Sequence, residues 1–299
     1  MKGPILVIGA TGNQGGHVAH ALLDAGWAVH AFTRNPASPK AQILKDKGAI
    51  LVRGDLSDLN SLKTAIRNVT GIFSVQNFWD LGLKEEVRLG SNVIQAAKEA
   101  GNNPHIVYTS GLGAEHRQNV AAIDGKAVLE ERLRASDLPY TILRPGLFMD
   151  DFLGASLPFA KPLQKLLASP RPLVGRLFLA TLRAAVPGDR PIPLTTLRDL
   201  GRLACWAWAN PTLSQNKTFI LVGDSLDPWQ MCEAWAARTQ QTLPSIPGLS
   251  LLLRIVHPRM ASLLRWLGGH PVTTTSTPIS LMSFETWLSK QSPLEDAEQ

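Results

Sequence analysis

The first half of the chain alternates short apolar runs with stretches whose apolar residues recur at helical spacing. Ile5 to Ile8 is an unbroken apolar run. Across residues 15–25, Val18, Ala21, Leu22 and Ala25 fall at i, i+3, i+4 and i+7, which predicts one face of a helix that Gly26 ends. Ala28 to Phe32 predicts a second strand. Ser38-Pro39 reads as an N-cap followed by proline at the first helical position, with Gly48 closing that helix. A third strand follows at Ala49 to Val52, a helix marked by Leu59, Leu62 and Ile66, and a fourth strand at Gly71 to Val75. Val87, Gly90, Ile94 and Ala97 line a long helix. His105 to Thr109, residues 122–135 and Tyr140 to Leu143 continue as strand, helix, strand. Runs such as ILVI and AILV carry no polar alternation, so they predict strands buried on both faces, as in a parallel sheet covered by helices on each side. The fold class expected is α/β, a doubly wound parallel sheet.

Beyond about residue 150 the pattern changes. Proline becomes frequent between 158 and 193, and six of the eight tryptophans lie after position 200, which suggests a separate apolar environment. Asp227-Pro228 opens a helix with Met231 and Trp235 four apart, Phe284 and Trp287 mark a short one, and the tail from Ser292 is polar. The expected division is a domain over 1–150 and a smaller one over 151–299. Hydrophobic residues make up 44% and charged residues 18%, with a formal net charge of +6, and this fits a globular protein with a sizeable core. Lys and Arg are scattered with no run of five, so no nucleic-acid partner is expected. Cys205 and Cys232 sit outside any C-x-x-C or His/Cys cluster, so neither a metal site nor a disulfide is expected, and a reducing, cytoplasmic compartment fits. Leu249 to Leu253 is broken by Arg254 and Leu177 to Leu182 by Arg183, too short to cross a membrane.

The strongest chemical signal is Gly9-Ala10-Thr11-Gly12-Asn13-Gln14-Gly15-Gly16, placed where the first strand gives way to the first helix. Gly9 permits a tight turn, Gly12 lets backbone approach a pyrophosphate, and Gly15 lets helix and strand come close. The helix start supplies free N–H groups and a positive dipole. At the end of the second strand an acid would select NAD by holding the ribose 2′-hydroxyl; here stand Thr33-Arg34-Asn35, and the Arg34 fork suits a 2′-phosphate. The cofactor expected is NADP(H).

GATGNQGG, TRNP, Gly54-Asp55-Leu56, Gly125-Lys126 at a helix start and Leu138-Pro139-Tyr140-Thr141-Ile142-Leu143-Arg144-Pro145 together resemble the NmrA-like family of atypical short-chain dehydrogenase/reductases. DPWQMCEAWA and SFETWLSK resemble its C-terminal elements. The resemblance implies a Rossmann domain, a smaller substrate domain interleaved with it, segments near 191–223 (Thr218 to Val222 among them) returning to the main sheet, and NADP(H) held in a cleft. It implies that Gly9, Thr11, Gly12, Asn13, Gln14 and Gly15 line the pyrophosphate, Arg34 holds the 2′-phosphate with Thr33 beside it among the cofactor-binding residues, Asp55 and Leu56 contact the adenine, and Val75 and Gln76 flank the ribose. Lys126 matches the family's active-site lysine and Ser110 the place of its catalytic serine. Lys126 also shares a helical stripe with Ala122, Leu129 and Leu133, where an ammonium is costly unless it meets water, a ligand or a partner.

One departure matters. Short-chain reductases donate a proton from a tyrosine four residues before the lysine, and that position is Ala122; Tyr108 and Tyr140 both fall inside strands, where core packing is the default reading. Two functions therefore stand side by side. One is an NADPH-dependent oxidoreductase acting on a small apolar carbonyl, enone or quinone, with Phe148, Phe152 and Trp79 as candidate pocket residues and His116 as a weak catalytic candidate. The other is a non-catalytic NADP(H) redox sensor that regulates a protein partner. The basic and apolar stretch 161–186, with Lys161, Lys165, Arg171, Arg176 and Arg183, reads either as a peripheral membrane contact or as a lid over the substrate.

Overall fold

The β-strands predicted from unbroken apolar runs form, and the first is sealed on both faces: Ile5, Leu6 and Val7 have no exposure and Ile8 almost none. The structure, a computed structural model, describes residues 2–153, 179–186, 189–239, 258–270, 272 and 277–291. Its contacts group into two units, Met1–Pro145 with Leu197–Ile220, and Gly146–Thr196 with Leu221–Gln299.

The first unit is built on β1 (Ile5–Ile8), β2 (Val29–Thr33), β3 (Ile50–Arg53), β4 (Gly71–Ser74), β5 (His105–Thr109) and β6 (Tyr140–Pro145). A later strand, β9 (Lys217–Leu221), joins them at one edge, giving a seven-stranded sheet in the order β3-β2-β1-β4-β5-β6-β9. Parallel pairing runs through the registers Ile5↔Val29, His30↔Ile50, Ile5↔Gly71, Gly71↔His105 and Ile106↔Tyr140. The chain works outward from β1 in one direction and then from β4 in the other, so the strand order reverses between β1 and β4. In open sheets of this kind, ligands bind beyond the carboxyl ends of the strands at such a reversal.

Helices α1 (Asn13–Asp24), α2 (Pro39–Asp46), α3 (Leu59–Ile66), α4 (Phe78–Ala100) and α5 (Ala121–Arg134) connect these strands, and α6 (Leu197–Ala209) with the short α7 (Pro211–Ser214) precedes β9. Ser38 caps α2 by accepting from the Ala41 N–H, with Pro39 in the first turn, as the Ser-Pro pair predicts. Asp58 caps α3 through the N–H groups of Asn60 and Ser61. Against α1 lies α6, and they meet at Gly201, where a Cβ would stand 2.7 Å from the His17 carbonyl oxygen. On the other face, Leu62, Ile66, Val93, Ala97, Leu129 and Leu133 of α3, α4 and α5 close over Leu6, Ile8, Ile72, Ile106, Tyr108 and Ile142. The third strand departs from expectation. Its apolar run predicted burial on both faces, but β3 is the sheet's edge and Ile50 is 57% exposed. An apolar run reports strand propensity; its place in the sheet is decided by tertiary pairing.

The second unit contains β7 (Leu147–Phe148), β8 (Ile192–Thr195) and β10 (Asp224–Leu226) in a three-stranded sheet, β10-β8-β7. β7 runs parallel to β8, and β10 antiparallel to it. Its helices are α8 (Pro228–Thr239), α9 (Pro258–Leu267) and α10 (Phe284–Ser289). Asp227 caps α8 by accepting from the N–H groups of Trp229 and Gln230. Phe152, fully buried, meets Phe284 and Trp287 at ring distances of 5.3 and 6.2 Å, so it belongs to this unit's core and not to a pocket lining. Of the basic stretch 161–186, residues 161–178 lie outside the described residues; Arg183 is described, and its guanidinium rests on the Trp229 ring at 3.9 Å. The polar tail from Ser292 also lies outside them. Among the described residues no helix is long and apolar enough to cross a membrane, and no group of three or more His, Cys, Asp or Glu is placed to hold a metal. Both cysteines are free thiols.

Candidate functional site

A tight glycine turn stands at the carboxyl end of β1. Gly9 takes φ +67°, and the Gly12 N–H closes back on the Gly9 carbonyl at 2.8 Å. A Cβ on Gly15 would fall on that same carbonyl, so strand and helix come together only with glycine at this position. Gly12 is the N-cap of α1. It offers no side chain to cap the helix, and the first turn carries no acid. The exit from β1 thus presents uncapped amides and the positive end of a helix dipole at the strand-order reversal, an arrangement suited to a phosphate. Thr11 and Asn13 lie half-buried in this turn. Gln14 ties it to β5, its Oε1 accepting from the Thr109 hydroxyl at 2.9 Å.

Beyond β2, the buried Thr33 hydroxyl accepts from the Asn35 N–H, and Arg34 points outward, exposed and without an ion pair among the described residues. Beyond β3, Asp55 Oδ1 accepts from both the N–H and the hydroxyl of Ser57, at 2.8 and 2.6 Å. Those two bonds hold its carboxyl below the ordinary range, and the Arg34 and Arg88 guanidinium groups add to the effect. A carboxylate therefore lies within electrostatic reach of Arg34 from the neighbouring strand, which inspection of β2 alone does not disclose. The Leu56 carbonyl accepts from Asn92 of α4 at 2.9 Å.

Beyond β4, Val75 lies over Gly9, where a Cβ would stand 2.9 Å from its Cγ1. Gln76 is buried, its Nε2 donates to Ser74 Oγ at 3.0 Å, and its Oε1 has no hydrogen-bond partner. The residues singled out at the ends of β1 to β5 are thus brought to one edge of one sheet. Trp79 is half-buried, edge-on to Phe78 at 5.2 Å; Phe148 is half-buried in β7; His116 is exposed in the loop after β5.

Below this edge lies a buried polar layer that the sequence reading missed. Lys126 Nζ donates to Glu86 Oε1 of α4 at 3.0 Å, with the lysine side chain 20% exposed and the glutamate fully buried. Ser110 Oγ donates to Glu130 Oε1 at 2.5 Å. Glu130, also fully buried, takes a two-pronged grip from Arg144, Nε at 2.9 Å and Nη2 at 2.7 Å, and a further bond from Arg134 at 2.8 Å. Arg144 reaches Glu115 with its remaining nitrogen at 2.8 Å. Tyr108 stands between the two carboxylates with its hydroxyl buried and unpartnered; burial, then Glu86 and Glu130, push its ionisation well above the ordinary phenol range. Its hydroxyl is thereby kept in the neutral form inside the sheet. The helical spacing held a signal for this layer. Glu86 shares a stripe with Leu89, Gly90 and Val93, and Glu130 follows Ala127 by three, and a carboxylate on a buried stripe requires a partner.

Comparison with known proteins follows the same lines. Residues 1–274 match the NmrA-like family. An NmrA-like family domain-containing oxidoreductase of Aspergillus japonicus, himF, is 36% identical over 159 residues, 50% of this chain and 48% of its own length. The chain thus spans about half the length of the first curated relatives it matches. Two solved structures share the fold: the Citrobacter sp. triphenylmethane reductase complexed with NADP(H) (TM-score 0.69, 21% identity, 95% of this chain and 97% of the other), and NmrA, a negative transcriptional regulator, in complex with NADP (TM-score 0.72, 18% identity, 98% and 96%). With a parallel Rossmann sheet, a glycine-lined helix start at its strand-order reversal and a family match over nearly its whole length, the chain belongs to the NmrA-like family.

Proposed function

We propose that the chain binds NADP(H) and uses it to reduce a small apolar carbonyl, enone or quinone. The observation that carries the proposal is the uncapped α1 start pressed against the Gly9 carbonyl, with Arg34 at the end of the neighbouring strand. Gly9, Thr11, Gly12, Asn13, Gln14 and Gly15 would hold the pyrophosphate, Thr33 and Arg34 the 2′-phosphate, Asp55 and Leu56 the adenine, and Val75 and Gln76 the ribose. The residues fit the group, since the α1 start has no side-chain cap and no acid in its first turn, and Gln76 keeps a buried acceptor without a partner. When bound, the nicotinamide supplies a hydride.

The chain's own part is binding, orientation and proton placement. An ammonium has three donors. One of those on Lys126 goes to Glu86, which leaves two for a ribose hydroxyl and for an oxygen that gains charge as it is reduced. Ser110 gives its proton to Glu130, which also accepts from Arg144 and Arg134, so toward a ligand Ser110 acts as an acceptor. Lys126 is then the proton-bearing group of the site. Reductions in which hydride transfer dominates, as with quinones and activated double bonds, suit that inventory best.

The commitment of Ser110 to Glu130, with Ala122 at the tyrosine position, also favours the second reading, a sensor that binds NADP(H) without turnover and regulates a protein partner. NADPH oxidation, followed by its absorbance against a panel of quinones and enones, separates the two. Turnover that Lys126→Gln abolishes, with NADPH still bound, supports the enzyme; a silent panel over tight NADPH binding supports the sensor.

A further inference from the structure

We propose that Glu86 is the positioning residue of the Lys126 ammonium, and that Gly82 and Gly125 form the seat that lets its carboxylate do so. The inference rests on the reading of Lys126 as part of the cofactor site.

The seat is built by two glycines on facing helices. α4 is broken at Gly82, which takes φ +74° and ψ 172°, and helix resumes at Leu83. Glu86 therefore closes the first turn of the resumed segment, where the helix dipole favours a carboxylate. On α5, a Cβ at Gly125 would stand 2.5 Å from Glu86 Oε2, so the carboxylate occupies the space a side chain at 125 would need. The adjacent residue, Lys126, brings its ammonium to Oε1 at 3.0 Å. The loop after β5 also lies on the lysine stem, where a Cβ on Gly111 would stand 3.2 Å from Lys126 Cδ. Lys126 is thus held by a carboxylate and a backbone turn.

The arrangement is poor as a stabilising device. Glu86 has no exposure, one of its oxygens has no partner, and the neighbouring Tyr108 hydroxyl has none either. A buried pair left this incompletely satisfied gives the fold little that apolar residues of the same shape would not give. It does give a cation on an otherwise apolar stripe a fixed location and a reason to remain there. Ser110, held by Glu130 one helical turn further along α5, is fixed in the same manner, so both polar groups facing the site are oriented from below by carboxylates.

The test uses the full chain and two readouts, one of them independent of cofactor. The first is the rate at which an amine-acylating reagent labels Lys126 in the cofactor-free protein, followed by peptide mass spectrometry. The second is NADPH affinity, measured by quenching of tryptophan fluorescence. Glu86→Gln preserves shape and removes the charge, and it is expected to raise the Lys126 labelling rate and weaken NADPH binding, each about tenfold, the equivalent of one charge-assisted hydrogen bond. Glu86→Asp should restore part of both, and Gly125→Ala, which displaces the carboxylate, should reproduce Glu86→Gln. Lys126→Gln should weaken NADPH binding similarly, and the Glu86→Gln/Lys126→Gln double variant should be no worse than the worse single. A Lys126 labelling rate unchanged in Glu86→Gln overturns the proposal, as do losses of affinity that add in full. Changed labelling in a protein that never binds NADPH upholds the positioning role of Glu86 and refutes the cofactor reading, so the two failures are distinguishable.

Discussion

Replacing Glu130 tests the buried polar layer at its most connected point. Glu130 accepts four hydrogen bonds, from Ser110, from Arg134 and two from Arg144, and has no exposure. Glu130→Gln keeps the shape but removes the charge and turns an N–H against guanidinium donors. Arg144, whose side chain is 9% exposed, then retains only Glu115, which is 48% exposed. Removing one partner of a buried, hydrogen-bonded ion pair costs about 3–5 kcal/mol, because the surviving charge is left without compensation. Arg134, at 38% exposure, can turn to water and adds little to that figure. Replacing the pair together, as Glu130→Leu with Arg144→Met, removes the stranded charge and should recover stability to within about 1–2 kcal/mol of the original. Urea unfolding followed by tryptophan fluorescence and by far-ultraviolet circular dichroism measures both. A single-variant loss below about 1 kcal/mol, the range of exposed pairs, would refute the reasoning.

Further outcomes follow from other positions. His105 is buried on β5, and burial lowers its pKa from 6.5 to about 4. Its neighbour Thr141 gives its own hydroxyl proton to the Ser214 carbonyl and so accepts from His105 Nε2–H. Because the folded value is the lower one, this contribution is complete above pH 6.5 and is lost as pH falls from there to about 4; at ~1.4 kcal/mol per unit it amounts to about 3 kcal/mol. Melting curves across that window should steepen this loss in the native protein and flatten in His105→Gln, and equal slopes would contradict the burial argument. Gly15→Ala places a Cβ on the Gly9 carbonyl; it should cost about 1–3 kcal/mol in thermal stability and abolish measurable NADPH binding, and unaltered binding would show that the turn is not the phosphate cradle.

Much of the first unit was legible because its signals are local. The runs at Ile5, Val29, Gly71 and His105 are strands whose side chains have little contact with water on either face, and glycine at 9, 12 and 15 follows from the closeness of strand and helix. The break at Gly82 was not read, since a lone glycine in a helical pattern signals equally a tolerated defect or a bend. Glu86 and Glu130 escaped notice because Lys126 lies 40 residues from Glu86, and Ser110 and Arg144 lie 20 and 14 residues from Glu130, on elements joined only by the fold. The edge position of β3 and the turn that lets Ser57 occupy Asp55 belong to tertiary pairing and loop geometry, which apolar periodicity does not encode.

Isothermal titration of the purified chain with NADPH and with NADH, repeated on Arg34→Ala, addresses the central claim most directly. A cradle made of the α1 start and the Arg34 guanidinium should hold NADPH about tenfold or more tighter than NADH, with Arg34→Ala erasing that preference while leaving NADH affinity in place. Equal affinity for both dinucleotides in the native chain, or no heat from either, would contradict it.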